Sequence, residues 1–264
     1  LGNAMVEAGE TVSLVAYDMS EINEDMMRLV DPRIAVYDLG SMRLGRPRPF
    51  LDSIGASVVH SHMISLDAAF FPVNEPLARF PYVVSMHGSH DTIGTIHEAL
   101  MFRMLRGVTH WVYTADKNLR ILEDLPLDPA AFSKIANAMP PDPRPFPETR
   151  AELGIDDDTV VFTLVARGIL QKGWRAAITA FTRLRRAHPE AKCRLLLVGS
   201  GSLTEELERE YGGRDDITFL GFHSCINGLY RISDCALVPT RFVGESYPLC
   251  LIQAMQEGLP IIAT

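Results

Sequence analysis

Four cysteines in 264 residues, with no CxxC pair among them, leave little for a disulfide framework or a standard zinc pattern. Cys193, Cys225, Cys235 and Cys250 fall mostly within apolar runs, which reads as buried thiols in a reduced, cytoplasmic compartment. His223 near Cys225 is the one zinc-like hint, and its spacing fits no standard site. Positive charge is also scarce: 25 Lys and Arg against 33 Asp and Glu give a net charge of −8 and a pI near 5.5. A binder of the phosphate backbone needs a basic stripe, so nucleic acid is excluded as the main partner, whereas a small basic pocket for one phosphorylated ligand is not. No apolar run approaches the roughly 20 residues that span a bilayer. No GxGxxG follows a visible first strand, which argues against a dinucleotide oxidoreductase. Three consecutive acids do occur, Asp156 to Asp158, but they precede a strand and so read as a solvated turn at its amino end.

Short apolar runs alternate with longer helical patterns. Strands are expected at 10–17, 33–39, 57–63, 82–88, 109–115 and 132–139, with helices at about 65–79, 93–106 and 116–125. PPDPRPFPETR (140–150) then holds five prolines in eleven residues, an extended linker or crossing segment. The pattern restarts with strands at 158–166, 193–199, 216–221 and 235–240. The helix at 174–188 carries Ala177, Ile178, Phe181 and Leu184 on one face. Alternation of this kind predicts two α/β domains with parallel sheets, 1–141 and 142–264. The opening residues read as the end of a helix and LPIIAT as a strand without its closing helix, so both ends are expected to be cut.

In an open parallel sheet, ligands bind outside the carboxyl ends of the strands. That rule selects Arg167, Gly168 and Lys172 in the loop after the 158–166 strand, just before a helix start whose free N–H groups favour an anion. It also selects Gly199 and Gly201 in LVGSGS, Phe222 in FLGFHS, and Glu245 in GESYPL with the N–H groups of Ser246, Tyr247 and Leu249. Each has a plainer reading: solvated charges, a tight turn, or an acid at a helix dipole. In the first half, His87 in SMHGSHD, followed by His90 and Asp91, is the better histidine candidate, ahead of His60 and His62. No carboxylate partner for a metal is apparent, and none is expected. Arg103 and Arg106 beside Met101, Met104 and Leu105 fit an ordinary core helix, with a membrane-touching face as the weaker alternative.

Taken in order, VARGILQKGWRAAITAF, LLLVGSGSLTEEL, ITFLGFHSCINGLYRISDCALVPT and GESYPLCLIQAMQEGLPIIAT closely resemble the donor half of the retaining GT-B glycosyltransferases called group 1 or family 4. DSIGASVVHSHM, PYVVSMHG and KIANAMPPDP look like its acceptor half. The resemblance implies two Rossmann-like domains, doubly wound. It also implies transfer of a sugar, with retained configuration, from a nucleoside diphosphate donor to a carbohydrate, lipid or other small acceptor. It needs no further cofactor, and it places the chain in the cytoplasm or peripheral to the membrane. Arg167 and Lys172 would bind the diphosphate, Glu245 the sugar hydroxyls, His87 the sugar, and Phe222 the base. The second acid of the E-x7-E motif, which binds the ribose, falls on Gln253, so weaker donor binding is expected. A non-catalytic binding module or partner subunit of the same fold is the alternative.

Overall fold

The computed structural model describes residues 1–16, 19, 22, 24–41, 47–63, 67, 80–88, 107–122 and 128–264. The expected helices at 65–79 and 93–106, with His90, Asp91, Arg103 and Arg106, lie almost wholly outside them. The chain divides into two compact units, Leu1–Ala136 and Asn137–Thr264.

The first unit opens with α1 (Gly2–Glu7), β1 (Ser13–Ala16), α2 (Glu24–Met27), β2 (Ala35–Asp38) and α3 (Pro47–Ser53). It continues with β3 (Val59–Ser61), β4 (Tyr82–Met86), β5 (His110–Tyr113) and β6 (Phe132–Lys134). β1 pairs with β2, and β3 to β6 form a four-stranded sheet in chain order, all parallel. Its core gathers Tyr82, Val84 and Met86 from one face of β4, with Trp111, Leu122, Leu51 and Phe80. Residues 116–122, expected as a helix, form a 3-10 helix.

The second unit begins five residues before the expected seam. Its proline-rich segment is a crossing strap and not a free linker. Phe146 enters the core, and Arg231 donates to the carbonyls of Asp142 and Arg144. A Cβ on Gly228 would sit 2.4 Å from the Phe146 nitrogen, so only a bare backbone lets the strap lie against that helix. The elements that follow are β7 (Val160–Val165), α4 (Trp174–Ala187), β8 (Cys193–Val198), α5 (Thr204–Tyr211) and β9 (Ile217–Gly221). α6 (Ile226–Arg231), β10 (Cys235–Val238), α7 (Leu249–Gln256) and β11 (Ile261–Ala263) complete it.

All five strands are parallel, in the order β11-β10-β7-β8-β9. Side chains alternate across a strand, so β8 sends Leu195 and Leu197 to one core and Leu196 and Val198 to the other. α4 and α5 cover the first face. α6, α7 and the strap cover the second. The buried stripe of α4 is Trp174, Ala177, Ile178 and Phe181. Leu184, expected to complete it, is half-buried.

Candidate functional site

The order of the second sheet decides where a ligand can sit. Numbered from its first strand, it runs 3-2-1-4-5, so the winding reverses between β7 and β10. Loops leaving adjacent strands on opposite sides open a crevice there. A cavity of about 340 Å³ lies at that point, within the size range of small-molecule sites. Its wall is built from Leu164–Arg167 and Lys172 on the β7 side, and from Leu237–Thr240, Glu245 and Pro248–Cys250 on the β10 side.

Two loops are fastened to each other to make this wall. The backbone N–H of Arg241 donates to the Gln171 carbonyl at 2.8 Å. Gly173, at φ 77° between a 3-10 turn (Leu170–Lys172) and α4, lies flush against Pro239. A Cβ there would be 2.0 Å from the Pro239 carbonyl oxygen. Lys172 is thereby held across from Glu245, and its Nζ donates to Glu245 Oε2 at 2.5 Å. Both side chains are mostly buried, and the ammonium lies 5.4 Å from the Phe242 ring centroid. Arg167 is exposed, with no side-chain partner among the described residues, while its carbonyl accepts from the Trp174 indole at 3.1 Å. One cation is therefore neutralised by a carboxylate and the other stands open. An anion entering the cavity meets both.

Of the residues selected from sequence, the cavity wall unites Arg167, Lys172, Glu245 and Leu249. It does not include Gly168, Gly199, Gly201, Phe222, Ser246, Tyr247 or Gln253. The glycines serve a close approach of loop to loop. Gly168 N–H donates to the Ser200 carbonyl and the Gly168 carbonyl accepts from Leu203, both at 2.8 Å. A Cβ on Gly199 would lie 1.9 Å from the Ala166 carbonyl. Phe222 stands exposed just after β9.

Gln253 is turned inward on α7, 7% exposed, with its amide donating to Asn227 Oδ1 at 3.3 Å. Asn227 donates in turn to Gln256 and Glu257. A carbonyl-and-amide side chain can take part in such a chain of bonds, which explains an amide here as a packing choice.

Tyr247 is the only described non-glycine residue with positive φ, at 52°. An aromatic residue there carries strain of about 1–3 kcal/mol. The carbonyls of Ser246 and Tyr247 accept from the Asn137 amide at 3.4 and 2.9 Å. Neither Asn137 nor Phe242 was selected from sequence: the partners of Asn137 lie 109 and 110 residues away.

In the first unit, His87 follows β4 and hydrogen-bonds through Nε2 to His62 Nδ1 at 3.0 Å. His60 meets Ser85 Oγ at 2.8 Å and its ring lies 4.2 Å from that of His62. Partial burial of the His62 ring, then the neighbouring His60 and His87, bring its pKa down to about 4, although the residue keeps an exposed side. Among the described residues no three His, Cys, Asp or Glu side chains are grouped to hold a metal. His223 bonds the Leu220 carbonyl and packs on Phe146. Asp156 and Asp158 pair with Lys192, away from the cavity. Burial raises the thiols of Cys225, Cys235 and Cys250. No helix among the described residues is long and apolar enough to cross a membrane.

Residues 145–264 match the family model described as glycosyl transferases group 1. An uncharacterized glycosyltransferase of Methanocaldococcus jannaschii is 29% identical over 123 residues, 44% of this chain and 30% of that protein. A D-inositol 3-phosphate glycosyltransferase of Corynebacterium kroppenstedtii is 26% identical over 125 residues, 44% and 27% respectively. The chain thus matches less than a third of the length of these relatives. Among solved structures, Anabaena HepE in complex with UDP and glucose superimposes with a TM-score of 0.71 at 16% identity, covering 95% of this chain and 72% of that one. WaaG, a glycosyltransferase involved in lipopolysaccharide biosynthesis, gives 0.67 at 14% identity, covering 99% and 75%. The fold is the GT-B fold of these neighbours.

Proposed function

We propose that the chain is a member of the glycosyl transferases group 1, whose model matches residues 145–264, and that it transfers a sugar from a nucleoside diphosphate sugar, with retention of configuration. The observation that carries this reading is the convergence of Arg167, Lys172 and Glu245 on one cavity where the strand order reverses, with Lys172 two residues before α4. Breaking a glycosyl–phosphate bond builds negative charge on the leaving diphosphate. Fixed cations stabilise that charge where it develops, without having to reorganise. Arg167 and Lys172 take the diphosphate. Glu245 accepts hydrogen bonds from hydroxyls of a sugar that becomes oxocarbenium-like. The UDP and glucose bound by HepE support a nucleotide-sugar as the ligand class. His87 is proposed to contact the donor sugar; His87→Ala in the transfer assay reads that role.

Calorimetry with UDP, GDP, ADP and their glucose conjugates tests the reading. A charge-assisted hydrogen bond contributes about 1.5–3 kcal/mol, so Arg167→Ala and Lys172→Ala should each weaken the preferred nucleotide by at least about tenfold. Unchanged binding in both variants would sink it. The neutral, inward-turned Gln253 favours a second reading, a binding module or partner subunit without turnover. Nucleotide-sugar binding without transfer or donor hydrolysis would select that one.

A further inference from the structure

Glu245 rides on a turn that its own sequence does not favour. The residue before a proline prefers extended backbone, yet Tyr247, directly before Pro248, is left-handed at φ 52°. We propose that Asn137 is the positioning residue of this turn, clamping its carbonyls so that Glu245 is held in the shape that binds the sugar of the donor. The proposal rests on the reading of the cavity given above. A side-chain amide carries two hydrogens and can serve two acceptors. The Asn137 amide nitrogen reaches both Ser246 O, at 3.4 Å, and Tyr247 O, at 2.9 Å.

These two carbonyls flank the strained residue, so the clamp acts on both of its peptide planes. The described peptides hold no cis bond, and in a trans peptide the N–H opposes the carbonyl. With the Ser246 carbonyl drawn to Asn137, the Tyr247 N–H is turned the other way. The next peptide has no N–H at all, because it belongs to Pro248. The clamp is itself anchored on the helix that the turn begins: Gln256, at the end of α7, donates to the Met139 carbonyl at 2.7 Å. Asn137 and the turn are thus both referred to α7. This explains why the strap joins the second unit from residue 137 onward.

Asn137→Leu keeps the size of the side chain and removes both donors without adding a charge. Hydrogen exchange in the ligand-free protein and calorimetry with the preferred nucleoside diphosphate and its glucose conjugate, drawn from UDP, GDP and ADP, test the proposal. Exchange should accelerate across 244–252 and stay unchanged in β8. Affinity for the sugar conjugate should fall about tenfold while that for the bare diphosphate does not fall, because Glu245 binds the sugar but repels the diphosphate. A generally weakened fold would lower both affinities and raise exchange throughout the unit. Unchanged exchange across 244–252, or equal losses for the two ligands, overturns the proposal. Failure of the cavity reading shows separately, as intact diphosphate binding in Arg167→Ala, and takes this proposal with it whatever Asn137 does.

Discussion

Neutralising Glu245 should tighten the binding of a bare nucleoside diphosphate while weakening that of the sugar conjugate. Glu245 Oε2 is 2.5 Å from Lys172 Nζ, so the carboxylate cancels the nearest cation and repels an arriving anion. A phosphate oxygen on the far side of the ammonium lies about 3 Å beyond it, placing the middle of a diphosphate about 8 Å from the carboxylate. A unit charge and a diphosphate of charge about −2 at that separation repel by ~1 kcal/mol at the dielectric constant of water and ~4 kcal/mol at the near-surface value. Glu245→Gln removes that repulsion and keeps the shape of the side chain. The bare diphosphate should therefore bind at least about fivefold tighter. The sugar conjugate should lose the advantage it holds over the diphosphate, because an amide makes weaker bonds to hydroxyls than a carboxylate. Titration calorimetry of both ligands against the parent and the variant gives the two ratios directly. Weaker diphosphate binding in Glu245→Gln would refute the assignment of Lys172 as a diphosphate ligand masked by Glu245.

Gly173→Ala should destabilise the second unit by about 2–5 kcal/mol, read by urea denaturation. The sum combines ~1–2 kcal/mol for a left-handed alanine with ~1–3 kcal/mol for displacing Pro239, and a loss below ~1 kcal/mol would contradict the flush contact. His62 has a folded pKa of about 4, below its ordinary value of 6.5. The unfolded chain therefore binds more protons between these values, and the stability owed to neutral His62 is present above pH 6.5 and lost as pH falls toward 4. His62→Gln should flatten the fall in melting temperature over that window; an unchanged slope counts against the histidine cluster. Gln253→Glu, which restores the second acid of the motif, should destabilise by roughly 1–3 kcal/mol, since the carboxylate is buried beside the Asn227–Glu257 pair. It should not tighten nucleotide binding, and a gain in affinity would show that residue 253 reaches the ligand.

The alternation of apolar runs with helical patterns, and the hydrophobic faces of α4 and β8, were legible in the sequence because burial and backbone period act locally. Arg167, Lys172 and Glu245 were legible as well, since each stands at the carboxyl end of a strand the sequence marks. Other features were not. The strand order that puts β10 beside β7, and so the loop of Glu245 beside that of Lys172, depends on which strands pair across some 70 residues. No local propensity encodes that choice. The fate of Gln253 turned on a neighbour, Asn227, 26 residues away. The strained Tyr247 and its clamp Asn137 were invisible for the same reason: a residue leaves its preferred backbone region only when distant contacts outweigh the local cost. Local pattern marked the elements and put Arg167, Lys172 and Glu245 at strand ends. Tertiary structure alone decided which of them share a cavity, because that depends on the packing free energy of the whole unit.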